Sequence, residues 1–201
     1  MRHEVRVALI GGTSHVGKST TALALVERLG WDYVSTDKLA RHPGRPWRTA
    51  PDVVPPHVTE HFGTLRTDEL MASVLAHYQG MWPMVRELII ARAGDTTTER
   101  LVLEGSALWP EQVDELRLAG VRPVWLTASD ALIETRMLRE SGYASATEEG
   151  QRLIRSFLAR TLAYNTAMMA AVRRLGLPFV EVTAVTSVAD AVQACLRALA
   201  A

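Results

Sequence analysis

The chain is poor in cysteine, in lysine and in net charge. Cys195 is the one cysteine among 201 residues, which rules out an internal disulfide framework and a cysteine-rich zinc site. Lys18 and Lys38 are the only lysines among 22 basic residues, and 22 acidic residues balance the total. The balance favours neither a nucleic-acid backbone nor an acidic bilayer, although a local patch could still bind one, and with no support beyond local arginines neither is expected as a partner. The 20 arginines reflect a skewed composition, and their abundance alone carries no functional argument. No run approaches the roughly 18 consecutive apolar residues of a membrane span. The apolar stretch in the opening MRHEVRVALIGG is too short for a secretory signal, and a cytoplasmic protein, monomer or homodimer, is expected. Neither a repeat nor a low-complexity linker interrupts the chain, which suits one compact domain spanning 1–201.

What is present is alternation. Short apolar runs at 5–10, 31–35, 100–104, 121–127 and 177–183 read as five strands. Helical patterns follow the first run at 18–29, then appear at about 68–79, 82–93, 111–119, 130–140, 148–174 and 187–200. Trp31 and Trp125 fall in strands and are expected in the core. In the last helix Ser187 and Asp190 form a capping-box-like start, and Cys195 shares a stripe with Val192 and Leu199, so it is a core residue. Strands separated by helices imply an α/β fold with right-handed crossovers. Its parallel sheet is covered on both faces, and ligands bind at the carboxyl ends of the strands.

The first of those ends carries Gly12-Thr13-Ser14-His15-Val16-Gly17-Lys18-Ser19, which satisfies G-x-x-x-x-G-K-[ST] between a strand and a helix. Glycines let backbone N–H groups converge on a polyphosphate, and the following helix turns its positive end toward it. Lys18 supplies an ammonium for the β- and γ-phosphates, and Ser19 a hydroxyl for Mg²⁺. Thr20 is close enough for the α-phosphate. His15 is expected to point to solvent, although a base role is conceivable. ATP and Mg²⁺ are the implied cofactors.

A phosphate loop does not by itself separate motors, switches and kinases. The second strand runs into Ser35-Thr36-Asp37, placing Asp37 at the sheet edge, either to orient or deprotonate an attacking hydroxyl or to cap a helix starting at Lys38. Next, Arg41, His42, Arg45, Trp47 and Arg48 crowd into eight residues whose prolines prevent a regular helix. Forked guanidiniums there suit an anionic acceptor, unless the loop is simply a basic surface. From Pro51 to His61 the chain reads as irregular, and its histidines lack the partners of a zinc site. Tyr78 and Met81 could line an acceptor pocket, but packing is the commoner use of such residues.

With GGTSHVGKS, STDKLARHPGRPW and LVLEGSALWP, the sequence resembles the small P-loop kinases of the nucleoside-monophosphate-kinase-like group, including shikimate, gluconate and chloramphenicol kinases. It looks most like proteins labelled 2-phosphoglycerate kinase-like. The resemblance implies a three-layer P-loop fold with sheet order 2-3-1-4-5 and ATP–Mg²⁺ as donor. It also implies an acceptor-site insertion over about 38–95, an arginine-bearing lid over about 136–165, and adenine beside the 183–186 loop. Glu104 falls at the family's acidic position, where Asp is commoner, to hold a magnesium-bound water or an acceptor hydroxyl. Trp109, just beyond it, is expected near the site. Arg160 with Tyr164 forms R-x-x-x-Y, similar to an arrangement in shikimate-kinase-like enzymes. By helical geometry Arg155 and Arg160 flank the apolar stripe of their helix, whereas Arg152 points away from it. Arg136 and Arg160 are the arginines expected to stabilise a transferring phosphoryl group.

The reading is thus an ATP-dependent kinase of a small anionic metabolite, 2-phosphoglycerate-like. Its rivals are a kinase of a nucleoside, antibiotic or other neutral alcohol, and a regulatory ATPase acting through a protein partner. The absence of an N-K-x-D sequence weakens a guanine-nucleotide switch.

Overall fold

Val-Ala-Leu-Ile-Gly-Gly is apolar at every position, and the computed structural model of the chain, which describes residues 4–39, 43–47 and 53–200, buries both of its faces. In β1 (Val7–Gly12), Val7 and Leu9 join one core layer while Ala8 and Ile10 join the other. Side chains alternate across a strand, so a strand apolar at both parities needs cover on both sides. The remaining strands are β2 (Asp32–Ser35), β3 (Leu101–Glu104), β4 (Val121–Ala128) and β5 (Phe179–Val182). All pairings are parallel in the order β2-β3-β1-β4-β5, with Val7 opposite both Leu101 and Val121. This is the expected three-layer α/β arrangement.

One core layer packs the sheet against α1 (Lys18–Leu29), α6 (Asp130–Glu140) and α8 (Val188–Ala200), with Cys195 buried in it as expected. The other packs it against α4 (Thr67–Gly94) and α5 (Pro110–Asp114). The 28-residue α7 (Glu148–Leu175) serves both layers. Its first half places Leu153, Ile154 and Phe157 in one, and its second half places Met168, Met169 and Val172 in the other. No helix among the described residues is long and apolar enough to cross a membrane.

Three local expectations are corrected. The helices expected at 68–79 and 82–93 are one continuous α4, running through Gly80 and Pro83. Proline inside a helix removes a hydrogen bond and costs about 3 kcal/mol. Here its ring and Gln79, whose carbonyl is freed, both lie on the exposed side. Burial of Met81, Val85 and Ile89 on the inner side, each worth about 1.5–3 kcal/mol, outweighs that cost. Second, the stretch read as irregular from Pro51 to His61 contains α3 (Pro56–Thr64), whose first helical residue is a proline, the position where a missing N–H does no harm. Third, the helix expected at 111–119 stops at Asp114. A short helix, α2 (Thr36–Leu39), follows β2 directly. Trp125 is buried as expected, but Trp31 sits just before β2, half-buried, with the Arg100 guanidinium over its ring.

Candidate functional site

The loop between β1 and α1 takes its shape from residues with positive φ. Gly17, at φ 97°, turns the chain into α1 with no side-chain cap, leaving the first amides of the helix directed into the loop. Lys18 is buried, and its Nζ donates to the Thr13 carbonyl at 2.7 Å. Burial pushes its pKa down, while Glu104 and then Asp37 pull it back up. The loop is pinned from outside as well. The Thr13 hydroxyl donates to the Thr161 carbonyl on α7 (3.2 Å), the Ser106 hydroxyl to the Gly12 carbonyl (3.0 Å), and Arg136 on α6 to the His15 carbonyl (3.1 Å).

The expectation that His15 faces solvent is overturned. Its side chain is only 2% exposed, and its Nε2 lies 3.2 Å from Glu140 Oε2. Its ring is tilted against Trp47 at 6.0 Å. Burial first, then Arg45, Lys18 and Arg136, lower its pKa to about 4, so the ring is neutral and its contact with Glu140 is not a charge pair. His15 holds this place with a non-glycine φ of 66°.

Glu104 ends β3 and is 1% exposed. A carboxylate so placed needs partners, and it has two: the Ser19 hydroxyl donates to its Oε1 at 3.1 Å and the Tyr33 hydroxyl at 2.9 Å. Tyr33 itself is driven up to about 12, by burial and then by the neighbouring carboxylate. Gly105 follows at φ 152°, and a Cβ there would lie 1.7 Å from Thr36 Oγ1. The absence of a side chain is therefore what lets α2 close against the end of β3, and it brings Asp37 to the cavity.

Ser19, Glu104 and Asp37 open onto a cavity of about 750 Å³, which Tyr78, Met81, Phe157 and Arg160 also line. Arg160 is buried, sits 4.4 Å from the Phe157 ring centroid and 5.8 Å from that of Phe62, and forms no ion pair among the described residues. Its Nε has no hydrogen-bond acceptor. Desolvation lowers its pKa. Arg45 also lines the cavity, paired with Glu140 and lying over Trp47. On the other side of the loop, a second cavity of about 430 Å³ is lined by Val16, Gly17, Thr20, Arg136 and Arg139, and by Thr186 after β5.

No protein-family model matches the chain, and no curated protein does. Solved structures do. A gluconokinase from Sinorhizobium meliloti 1021 is 20% identical, over 100% of this chain and 94% of that one, with a TM-score of 0.54. A sugar kinase from Janibacter sp. is 16% identical over 98% and 95%, with a TM-score of 0.53. A deoxyadenosine kinase from M. mycoides with bound dATP is 16% identical over 97% and 100%, with a TM-score of 0.52. At these identities the likeness is one of fold, the three-layer α/β fold that these kinases share.

Of the residues singled out in the sequence, Gly12 to Thr20, Asp37, Arg45, Glu104, Arg136 and Arg160 gather around the two cavities. Ser14 lines the larger one. Asp37 lies in the first turn of α2, not at its N-cap. Trp109 is corrected: it packs edge-on against Tyr164 at 5.3 Å and does not line the cavity. Arg155 is exposed, over the Tyr143 ring, and Arg152 donates to the Gly63 carbonyl. Arg41, His42 and Arg48 lie outside the described residues. Sequence reasoning missed Tyr33, Glu140 and Phe157. Tyr33 carried a signal, because it stands two residues before the strand-ending Ser35 and so on the same face. Glu140 carried none.

Proposed function

We propose that the protein is an ATP-dependent phosphotransferase that moves the γ-phosphoryl group to a hydroxyl of a small anionic metabolite, a class that includes 2-phosphoglycerate. The carrying observation is that a single cavity is lined by the phosphate loop, by a carboxylate, Asp37, and by a buried guanidinium, Arg160, that has no ion pair among the described residues.

The loop amides and Lys18 hold the triphosphate, Lys18 exchanging the Thr13 carbonyl for phosphate oxygens. The smaller cavity beside Thr186 suits the nucleoside end. Ser19 and Glu104 offer adjacent oxygens of the kind a hard divalent cation takes, so they would hold Mg²⁺. Bound there, it would neutralise phosphate charge. Asp37 orients the acceptor hydroxyl or accepts its proton. Arg136, already on the loop, offsets charge on the transferring group. Arg160 receives the acceptor's anion. In this reading the chain is one kinase domain, with residues 38–95 forming the acceptor wall and 136–165 the arginine-bearing arm.

A neutral acceptor would leave the Arg160 charge buried and uncompensated, which disfavours the nucleoside or antibiotic reading. ADP release measured with and without panels of phosphorylated hydroxy acids, sugar acids and nucleosides tests the proposal. Stimulation by an anionic alcohol is expected, and in Asp37→Asn turnover should fall far more than ATP affinity. Acceptor-independent hydrolysis that only a protein partner stimulates would replace the reading with a regulatory ATPase.

A further inference from the structure

Resting on that proposed function, the contact that ends α6 says how the empty site differs from the filled one. We propose that Glu140 is a positioning residue that stands in for the terminal phosphate: it holds Arg45 beside the empty loop, and a bound triphosphate, but not a diphosphate, takes Arg45 from it.

Glu140 is the last residue of α6, and its carboxylate reaches two other parts of the chain. Its Oε1 accepts from Arg45 Nη1, in the segment that carries Trp47, and its Oε2 lies 3.2 Å from His15 Nε2, in the middle of the phosphate loop. Only the first of these is a charge pair. The His15 ring is neutral, and its Nε2 makes no aligned hydrogen bond with the carboxylate. An anion is thus brought up to a loop suited to anions, by a helix that already grips the loop through Arg136. Lys18 shows the same arrangement on a smaller scale, since the Thr13 carbonyl occupies its ammonium until phosphate oxygens arrive.

Arg45 is placed to change partners. It lines the larger cavity together with Ser14, Ser19 and Asp37, whereas Glu140 lines the smaller one, to which the nucleoside end is assigned. In this reading the γ-phosphate is the part of the nucleotide that enters the larger cavity, so it is the part that Arg45 meets. Burial is the first cause of the lowered pKa at both His15 and Lys18, and Arg45 adds to each, so its charge is felt by the loop.

The strengths of the two partners decide the direction. The side chains of Arg45 and Glu140 are 43% and 44% exposed, and an ion pair so open to water shifts an equilibrium by about fivefold at most. A phosphate offers more charge and paired oxygens to a guanidinium fork, a stronger contact. Glu140 is not stranded when Arg45 leaves, because its exposure lets water replace the guanidinium. The exchange unfastens the 43–47 segment from α6 and fastens it to the nucleotide, so the Trp47 side of the larger cavity registers the γ-phosphate.

The test is calorimetric titration of the full chain with Mg²⁺ and either ADP or a non-hydrolysable ATP analogue, in wild type, Glu140→Gln, Arg45→Gln and the double variant. Glu140→Gln should tighten analogue binding about two- to fivefold and Arg45→Gln should weaken it about tenfold or more, while ADP affinity moves by less than about twofold in either. In the Arg45→Gln background, Glu140→Gln should have no further effect, which separates an exchange of partners from a through-space effect of charge. ADP binding reports that each variant folds, and Glu140→Ser or Arg45→Met replaces one that does not. Looser or unchanged analogue binding by Glu140→Gln overturns the proposal. So do equal shifts for ADP and analogue, undiminished analogue binding by Arg45→Gln, or tightening that persists without Arg45. Failure of the phosphotransferase reading appears elsewhere, as a wild-type chain that binds neither nucleotide or as undiminished analogue binding by Lys18→Ala.

Discussion

The phosphate loop and the acceptor wall meet at Thr13, yet they are assembled in opposite ways. Eight consecutive residues make the loop, and its internal bond, Lys18 to the Thr13 carbonyl, spans five positions. The acceptor wall draws Trp47, Tyr78, Met81, Phe157 and Arg160 from three separate stretches of chain. The loop is pinned by its own lysine and by clamps from three other elements while its amides stay open, whereas the wall keeps a buried cation with no ion pair among the described residues. A local and rigid nest suits a ligand shared by many enzymes. A wall gathered from distant stretches suits a particular one.

The contrast breaks most sharply at Lys18. If the loop supplies the charge compensation, Lys18→Ala should lower turnover by about 10²–10³-fold, read in steady-state ADP release. Wild-type turnover would move that role to the arginines of the arm. Gly105→Ala comes next. Its Cβ would collide with Thr36, so α2 and Asp37 must shift away from Glu104, at a cost of about 1–3 kcal/mol in folding stability. Turnover should fall while analogue affinity holds, and an unchanged urea midpoint would show that the β3–α2 approach is not fixed. A smaller effect is expected for Tyr33→Phe, which removes one of two hydroxyls on the Glu104 carboxylate. A hydrogen bond of about 0.5–1.5 kcal/mol converts to a two- to tenfold rise in the Mg²⁺ needed for half-maximal analogue binding. No rise would detach Tyr33 from the metal end of the site.

The effect that touches turnover least concerns His15 and is read in stability. Its pKa is about 4 in the folded chain against 6.5 unfolded, so between those values the unfolded state takes up a proton that the folded state refuses. The contribution of a neutral, buried ring is therefore full above pH 6.5 and is lost as pH falls toward 4. His15→Asn, which tolerates the left-handed backbone, should show a shallower decline of urea midpoint over that window. A parallel decline would assign the acid sensitivity to other groups.

What was legible follows the same division. The alternating strands and the loop could be read because each rests on local signals: apolar runs broken by turns, and glycines flanking a lysine and a serine; the order of the strands in the sheet came only with the family resemblance. The continuity of α4 across Pro83 could not, because it depends on an apolar face whose partners lie elsewhere. The burial of His15 escaped for a similar reason. Its ring is enclosed by Trp47 and Glu140, 32 and 125 positions away, and no window of sequence brings those three together. Arg160 was found through a short pattern, but the pattern does not say that it is buried with no ion pair among the described residues. That property belongs to everything around it.

Two turns of α7 hold Phe157 and Arg160 toward the cavity, offer the Thr161 carbonyl to Thr13, and brace Ser106 through the Tyr164 hydroxyl. Any exchange of Phe157 or Arg160 that retuned the choice of acceptor would also tug on the nucleotide's seat. The segment carrying Trp47, Val53 and Pro55 is held differently, by Arg45 on Glu140 and by the Trp47 ring against Phe157. Altered substrate range in this lineage should accordingly be written on that opposite bank, with α7 left as the shared foundation.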